Sequence, residues 1–226
     1  MQTAKYTVNP RSVTRFGGTI GAGNIGAAYK YELSPADREP LSRFLDRMRP
    51  LVPSGHEFAG SIPSPALIGF RRYSDAVIGR GDLQERITSG ITCLEALFLK
   101  DKERADLSYR LSLRVACLLR LIGLHGLTVE GHVHEAYGIR SNYIHGGPGD
   151  PSTMRRADPL CRHILDYARL AVIIFLQLKG SMDKNEILNR LDGGLLEEKK
   201  LEKLKASIAA LLLPVAPRAA SPDGSS

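Results

Sequence analysis

The sequence predicts an all-α protein with an irregular N-terminal lobe, and three observations carry that prediction. Apolar residues recur every three or four positions from about residue 64 almost to residue 213, the spacing that gathers them on one face of a helix. Start and stop signals punctuate the same stretch: Asp82-x-x-Glu85, Gly146-Gly147-Pro148, Asp158-Pro159 and Asp183-x-x-Glu186. Residues 1–62, by contrast, hold no long periodic segment and are broken repeatedly by Gly and Pro. The expected organisation is a lobe over 1–62, a helical domain over 63–213 and a disordered tail over 214–226, where PVAPRAASPDGSS offers nothing to bury.

Within the lobe, PADREPLSRFLDRMRP at residues 35–50 reads as one short helix. The lobe also contains GAGNIG, Gly21 to Gly26, a formal match to the dinucleotide fingerprint G-x-G-x-x-G. That fingerprint works only between a buried strand and a helix. The preceding SVTRFGGTI is polar and glycine-broken, and AAYKYELSP meets Pro35 too soon for a crossover helix, so these glycines read as a loop.

The helical domain opens with Ala66 to Ile78, ALIGFRRYSDAVI. Asp82 then caps a second helix in which Ile87, Ile91, Leu94 and Phe98 form one buried stripe. Glu95 lies about 100° round from Leu94, at the edge of that stripe, so it either reaches a cation or points along the surface. A third helix covers about Ala105 to Ile122, with Leu107, Leu111, Val115, Leu118, Leu119 and Ile122 facing inward. Arg110 and Arg114 share its flank, and Asp106 is placed to pair with Arg110 at i,i+4. The fourth runs from about Val129 to His145 and ends at the Gly-Gly-Pro. The fifth opens at Asp158-Pro159 and continues to about Leu178, and its second half is apolar all round, which implies a central position. A short helix from Asp183 to Leu191 follows, and residues 196–213 make one more, with Leu201, Leu204, Ile208 and Leu211 or Leu212 packed and the EEKK charges solvated.

A formal net charge of +7 is compatible with a polyanionic partner without requiring one. The longest apolar run, AVIIFLQL at Ala171 to Leu178, falls short of the roughly 18 to 20 residues that a membrane-spanning helix needs, so no membrane partner is expected. The start, MQTAKYTVNP, lacks the apolar core of a secretory signal. The three cysteines, Cys93, Cys117 and Cys161, are odd in number, far apart and inside amphipathic segments. They read as reduced core residues of a cytoplasmic protein. No cofactor or metal is expected, because His132 and His134 in GHVHE are too sparse for a site and no carboxylate or Cys/His cluster accompanies them.

The stretch YGIRSNYIHGGP, Tyr137 to Pro148, sets Arg140 and His145 just before a helix stop. Histidine suits a helix C-terminus because of the dipole, and an arginine one turn earlier commonly caps or pairs with acids, so a purely structural reading is open. Residues five apart on a helix are about 140° apart with a rise of about 7.5 Å, so the two do not share one stripe. Cooperation requires the guanidinium to curl back, the helix to distort at its glycine end, or two copies of the helix to meet.

LEALFL from Leu94, LSYRLSLRVACLL from Leu107 and AYGIRSNYIHGG from Ala136 follow one another as in the Apea-like branch of the HEPN family, which this chain resembles over about Leu67 to Leu196, ILNRLDGGLL included. The resemblance implies an all-helical HEPN-type bundle, a homodimer, and a metal-independent endoribonuclease built on an R-x4-6-H motif. Carried over, the motif residues are Arg140 and His145; Ser141 and Asn142, directly after the arginine, stand in the assisting positions. Serine right after arginine looks usual for this branch, whose activity is less secure than that of toxin branches. Glu95 is expected beside an arginine, Arg140 first and Arg114 second, and Arg110 and Arg114 are candidate RNA contacts. The chemistry fits the residue types. RNA brings its own 2′-hydroxyl nucleophile, histidine exchanges protons near neutral pH, and arginine forks onto phosphate oxygens. The function expected is RNA cleavage in defence or stress response, with an antitoxin or regulatory protein as a further partner. The alternative is a non-catalytic HEPN module that binds RNA or a partner protein.

Overall fold

Asp82 and Asp183 do locally what their spacing predicts: each side chain accepts a hydrogen bond from the backbone N–H three residues on, Glu85 at 2.9 Å and Glu186 at 2.8 Å. Such caps satisfy donors that the first helical turn leaves without partners. The computed structural model of the chain describes residues 6–9, 12–15, 35–52, 64–78, 81–146 and 151–213. Its helices are α1 (Arg38–Met48, entered by a 3-10 turn at Pro35–Asp37), α2 (Pro65–Ile78), α3 (Leu83–Phe98), α4 (Leu107–Arg120), α5 (Gly126–Ile144), α6 (Pro151–Leu178), α7 (Lys184–Gly194) and α8 (Glu202–Ala209, entered by a 3-10 turn at Glu198–Leu201). The fold is an all-α bundle. The chain divides into two units, Met1–Ser61 and Ile62–Ser226.

The first unit holds the short helix expected in residues 35–50, as α1. It also holds a small antiparallel ladder that the sequence reading did not assign, β1 (Tyr6–Asn9) against β2 (Ser12–Arg15), with Val8 opposite Val13 and Thr7 opposite Thr14. β-branched residues suit a strand, but four-residue segments are too short for their alternation to stand out. The GAGNIG glycines and the 214–226 tail lie outside the described residues.

In the second unit α3 is the hub, packing against α2, α4, α5, α6 and α7. Its predicted stripe is real: Ile87, Ile91, Leu94 and Phe98 are all fully buried. Each such side chain is worth about 1.5–3 kcal/mol relative to exposure, which makes this face the anchor of the core. Phe98 meets Phe175 of α6 edge-on, ring centroids 5.4 Å apart. Gly90 lets α6 come close, since a Cβ there would stand 2.8 Å from Ile164 Cγ2. The second half of α6 is central as expected, with residues 170–176 all buried.

Helix α6 nevertheless starts earlier than expected, at Pro151, and Pro159 lies inside it. Proline is pre-shaped for a first helical turn, and Pro151 takes that place instead of Pro159. Helix α8 is shorter than its charge pattern implied, yet Leu201, Leu204 and Ile208 are buried as predicted. Gln177 clamps the segment that follows, donating to the Leu212 carbonyl at 2.9 Å and accepting from its N–H at 3.2 Å. All three cysteines are free and buried, and burial pushes each thiol above its ordinary pKa, which leaves them unreactive. Among the described residues no helix is long and apolar enough to cross a membrane.

Arg114 corrects the sequence reading most sharply. It is not available to RNA: its side chain is 2% exposed and every N–H of its guanidinium is used. Nε and Nη2 fork onto Asp192 of α7 at 2.6 and 2.8 Å, Nη1 and Nη2 fork onto Glu103 at 2.8 and 2.6 Å, and Nη1 also reaches the Phe98 carbonyl at 2.8 Å. Lys100 joins the cluster through Asp192 at 3.0 Å. Arg110 does not form the expected pair with Asp106, which occupies a left-handed backbone position before α4; its nearest acid is Glu103 at 3.6 Å.

This cluster generates a stability prediction. Hydrogen bonds from Arg114 hold Glu103 below the usual carboxylate range. Burial alone would raise Asp192, but hydrogen bonds from Arg114 and Lys100 outweigh it and hold that carboxyl down as well. A carboxylate depressed in the folded state contributes stability above its unfolded pKa, near 4, and loses it as pH falls through the folded value. Arg114→Ala is expected to cost about 3 kcal/mol at pH 7, because it empties a buried site and leaves two half-buried carboxylates without their shared partner. Urea unfolding across pH should show the loss shrinking below about pH 4, where wild type gives up the same interactions.

Candidate functional site

Helix α5 begins after His125, whose Nδ1 accepts from the Thr128 N–H at 3.4 Å, and buries Val129, Val133, Ala136 and Ile139. Arg140 follows the last of these and so stands at the edge of the buried face. Glu95 occupies the matching edge of α3. The two edges meet: Arg140 Nη2 donates to Glu95 Oε2 at 3.0 Å, with the side chains 24% and 16% exposed. Glu95 therefore takes the first of the two partners expected for it.

This pair differs from the Arg114 cluster in one respect that bears on chemistry. Arg140 engages Glu95 through a single nitrogen, and its Nε is buried with no hydrogen-bond partner. An unsatisfied buried donor costs about 1–3 kcal/mol, so this guanidinium is held less completely than that of Arg114. Its charged carbon also sits 5.7 Å from the centre of the Tyr137 ring, within reach of cation–π attraction. Burial raises the Glu95 pKa above the ordinary carboxylate value, and the nearby Arg140 charge and hydrogen bond only partly reverse that. The Tyr137 hydroxyl is pushed up too, by burial first and then by the Glu95 charge.

His145 is the residue on which α5 ends. Its N–H bonds the Ser141 carbonyl at 3.1 Å, and Gly146 follows at φ +68°, a left-handed position that closes helices and suits glycine. The imidazole is exposed, as is Asn142, while Ser141 is half-buried. Among the described residues no hydrogen bond joins His145 to Arg140 within the chain. The arrangement thus places a partly engaged guanidinium about one turn before a solvent-facing imidazole. Gly147 and Pro148 lie outside the described residues.

Two features escaped the sequence reading. Tyr137 is the face against which Arg140 lies, and only the three-residue spacing along α5 hinted at it. The second is a ring cluster between α5 and α6: His132 and His163 stack at 4.4 Å and 15°, and His132 Nδ1 is 2.9 Å from the buried Tyr167 hydroxyl. His163 and Tyr167 are four apart on one helix, but the pairing with His132 is tertiary. His134 points elsewhere, its Nδ1 lying 3.2 Å from Ser108 Oγ. Among the described residues no three His, Cys, Asp or Glu side chains gather so as to hold a metal ion.

Glu95 provides a pH-dependent test of the pairing. Its folded pKa is raised, so the folded chain holds the proton more tightly than the unfolded one; this contributes stability on the acid side and is lost as pH rises through the folded value. The stability of wild type relative to Glu95→Gln is expected to be greatest below the unfolded glutamate pKa, near 4.3, and to decline above it. Chemical unfolding of both proteins over that range measures the difference, and a flat profile would contradict a buried Glu95. In comparisons with protein-family models, curated proteins and solved structures, nothing matches this chain.

Proposed function

We propose that this protein is a metal-independent endoribonuclease of HEPN type in which Arg140 and His145 carry the chemistry. The observation that carries the reading is the contrast between the two buried-edge arginines. Arg114 is saturated and structural, whereas Arg140 is 24% exposed, bonds Glu95 through one nitrogen and lies five residues before an exposed histidine at a helix end. A phosphodiester is the ligand that such a fork and such an imidazole serve together.

In the proposed reaction the 2′-hydroxyl of RNA attacks its own phosphorus. A histidine takes the hydroxyl proton, the bond from phosphorus to the 5′-oxygen breaks, and a protonated histidine supplies the proton that this oxygen needs. Arg140 offsets charge on the phosphorane. Products carry 2′,3′-cyclic phosphate and 5′-hydroxyl ends. One chain offers one such imidazole, and Arg140 and His145 are about 140° apart on α5, so two copies meeting at their α5 ends supply the second imidazole and a second guanidinium. Ser141 and Asn142 are placed to assist at the phosphate, and Arg110, 46% exposed, is the remaining candidate for a peripheral RNA contact. The site would act in defence or stress response, with an antitoxin or other regulatory protein as a natural restraint.

One observation favours the non-catalytic reading. Glu95 already compensates part of the Arg140 charge, which is what a structural or partner-binding arginine would show.

Cleavage of end-labelled RNA in EDTA separates the two. Wild type is expected to cut, with His145→Ala and Arg140→Ala each slower by at least about 100-fold, as loss of an acid–base group or a charge clamp entails. Arg140→Ala should also bind RNA more weakly, while His145→Ala binds nearly as well as wild type. Wild-type inactivity over a broad RNA panel would favour the binding module; cleavage of DNA or dependence on a divalent ion would sink the mechanism.

The paired site also predicts a homodimer. Light scattering at tens of micromolar is expected to give twice the subunit mass of 24.7 kDa. A single subunit mass would leave the reaction without its second histidine.

A further inference from the structure

We propose that the stacked pair His163 and His132 is a platform for one base of a single-stranded RNA, with Tyr143 offering a second ring further along α5. This rests on the RNA reading of Arg140 and His145 and adds where the strand lies.

The platform is built rather than incidental. His132 is held at its edge, its Nδ1 2.9 Å from the hydroxyl of Tyr167, a side chain only 5% exposed. The Tyr167 ring lies nearly parallel to both imidazoles, at 6.1 Å from His132 and 6.2 Å from His163. His163 stacks in front of His132 and is exposed. With one face covered by His132, its exposure falls on the opposite face and the rim, the surface that a base would use. Burial holds the His132 pKa below its ordinary value, and the neighbouring His163 works in the same direction against the opposing charge of Glu135. Asp166, the remaining acid nearby on α6, is engaged with Arg169 at 3.2 Å. The hydroxyl of Tyr167 is pushed up to about 12, chiefly by burial, so it remains a neutral hydrogen-bonding group. His132 is accordingly an uncharged, flat support at neutral pH.

Position connects the platform to the proposed site. From His132 to His145 α5 extends about 20 Å, a distance that a short extended strand can follow. Tyr143 lies eleven residues after His132, which brings it to within about 20° of the same line along the helix. It is 40% exposed. Arg140 stands between the two, offset by about 80°, where the backbone of a strand with its bases on these rings would pass. Aromatic platforms of this kind bind any base through its π-face, and only unpaired bases are free to use them.

The test is binding of a short oligoadenylate that carries 2-aminopurine and 2′-O-methyl sugars throughout, which blocks the nucleophile and hence cleavage. His163→Ala is expected to raise Kd about fivefold or more and to reduce quenching of the fluorescent base, with His163→Phe close to wild type because it keeps a stacking face. Three results would overturn the proposal. If His163→Ala binds and quenches like wild type while Arg140→Ala binds weakly, the platform is wrong and the RNA reading stands. If His163→Phe is as weak as His163→Ala, the contact is not stacking. If wild type does not bind this probe or unmodified RNA, the platform and the RNA reading fall together.

Discussion

Arg114 is the point at which the architecture is tied. It leaves α4, meets the last carbonyls of α3 at Phe98, holds the α3–α4 connection at Glu103 and reaches α7 at Asp192. The end of α3, the connection that follows it and the distant α7 therefore converge on one planar, permanently charged group with donors in fixed directions. A buried charge is tolerated only where its donors are all met, and here they are. The tie holds the C-terminal end of α3, the helix that carries both the core stripe and Glu95. Glu95 stands three residues before Phe98, so the acid that meets Arg140 leaves α3 close to the point where Arg114 holds it.

The two arginines show how one residue type divides between roles. Both approach an acid at the rim of the core. Arg114 is forked by two carboxylates and a carbonyl, and rotating it would break five hydrogen bonds. Arg140 has one hydrogen bond to Glu95 and a soft contact with Tyr137, so a phosphate can compete for it without dismantling a network. Glu95 adds a second difference. Burial makes its ionised form costly, whereas Glu103 and Asp192 are held ionised by their partners. The acid beside Arg140 is thus the weaker of the anchors.

What was legible in the sequence is what depends on neighbours along the chain. The α3 stripe, the Asp82 and Asp183 caps, the apolar half of α6 and the stop at Gly146 all arise from local spacing and backbone preference, and they stand where that spacing puts them. Glu95 could be placed at the edge of a face, and an edge carboxylate seeks a cation, which is how Arg140 could be named. Arg114 was misread because spacing puts it on a flank and cannot show that Glu103 and Asp192 arrive from elsewhere to bury it. The start of α6 was misread for a related reason: two prolines compete for a first turn, and the choice between them is not local. His132, His163 and Tyr167 were invisible as a group because no single segment contains all three.

The end of α5 then sets what the site can do. A helix that stopped one turn later would carry His145 in its interior, fixed in one direction with its backbone N–H and C=O both committed. Ending on His145, with Gly146 in a left-handed position, leaves the imidazole on the last residue, where less of the chain surrounds it. Arg140, one turn back, is still inside the helix and is held by α3. The end of α5 therefore sets a held positive charge before a less constrained imidazole, and the proposed reaction would use them differently: its phosphorane needs charge in one place, while its protons must move between two oxygens on opposite sides of phosphorus. One imidazole cannot stand on both sides at once, which is why the proposed reaction draws its second imidazole from a second chain.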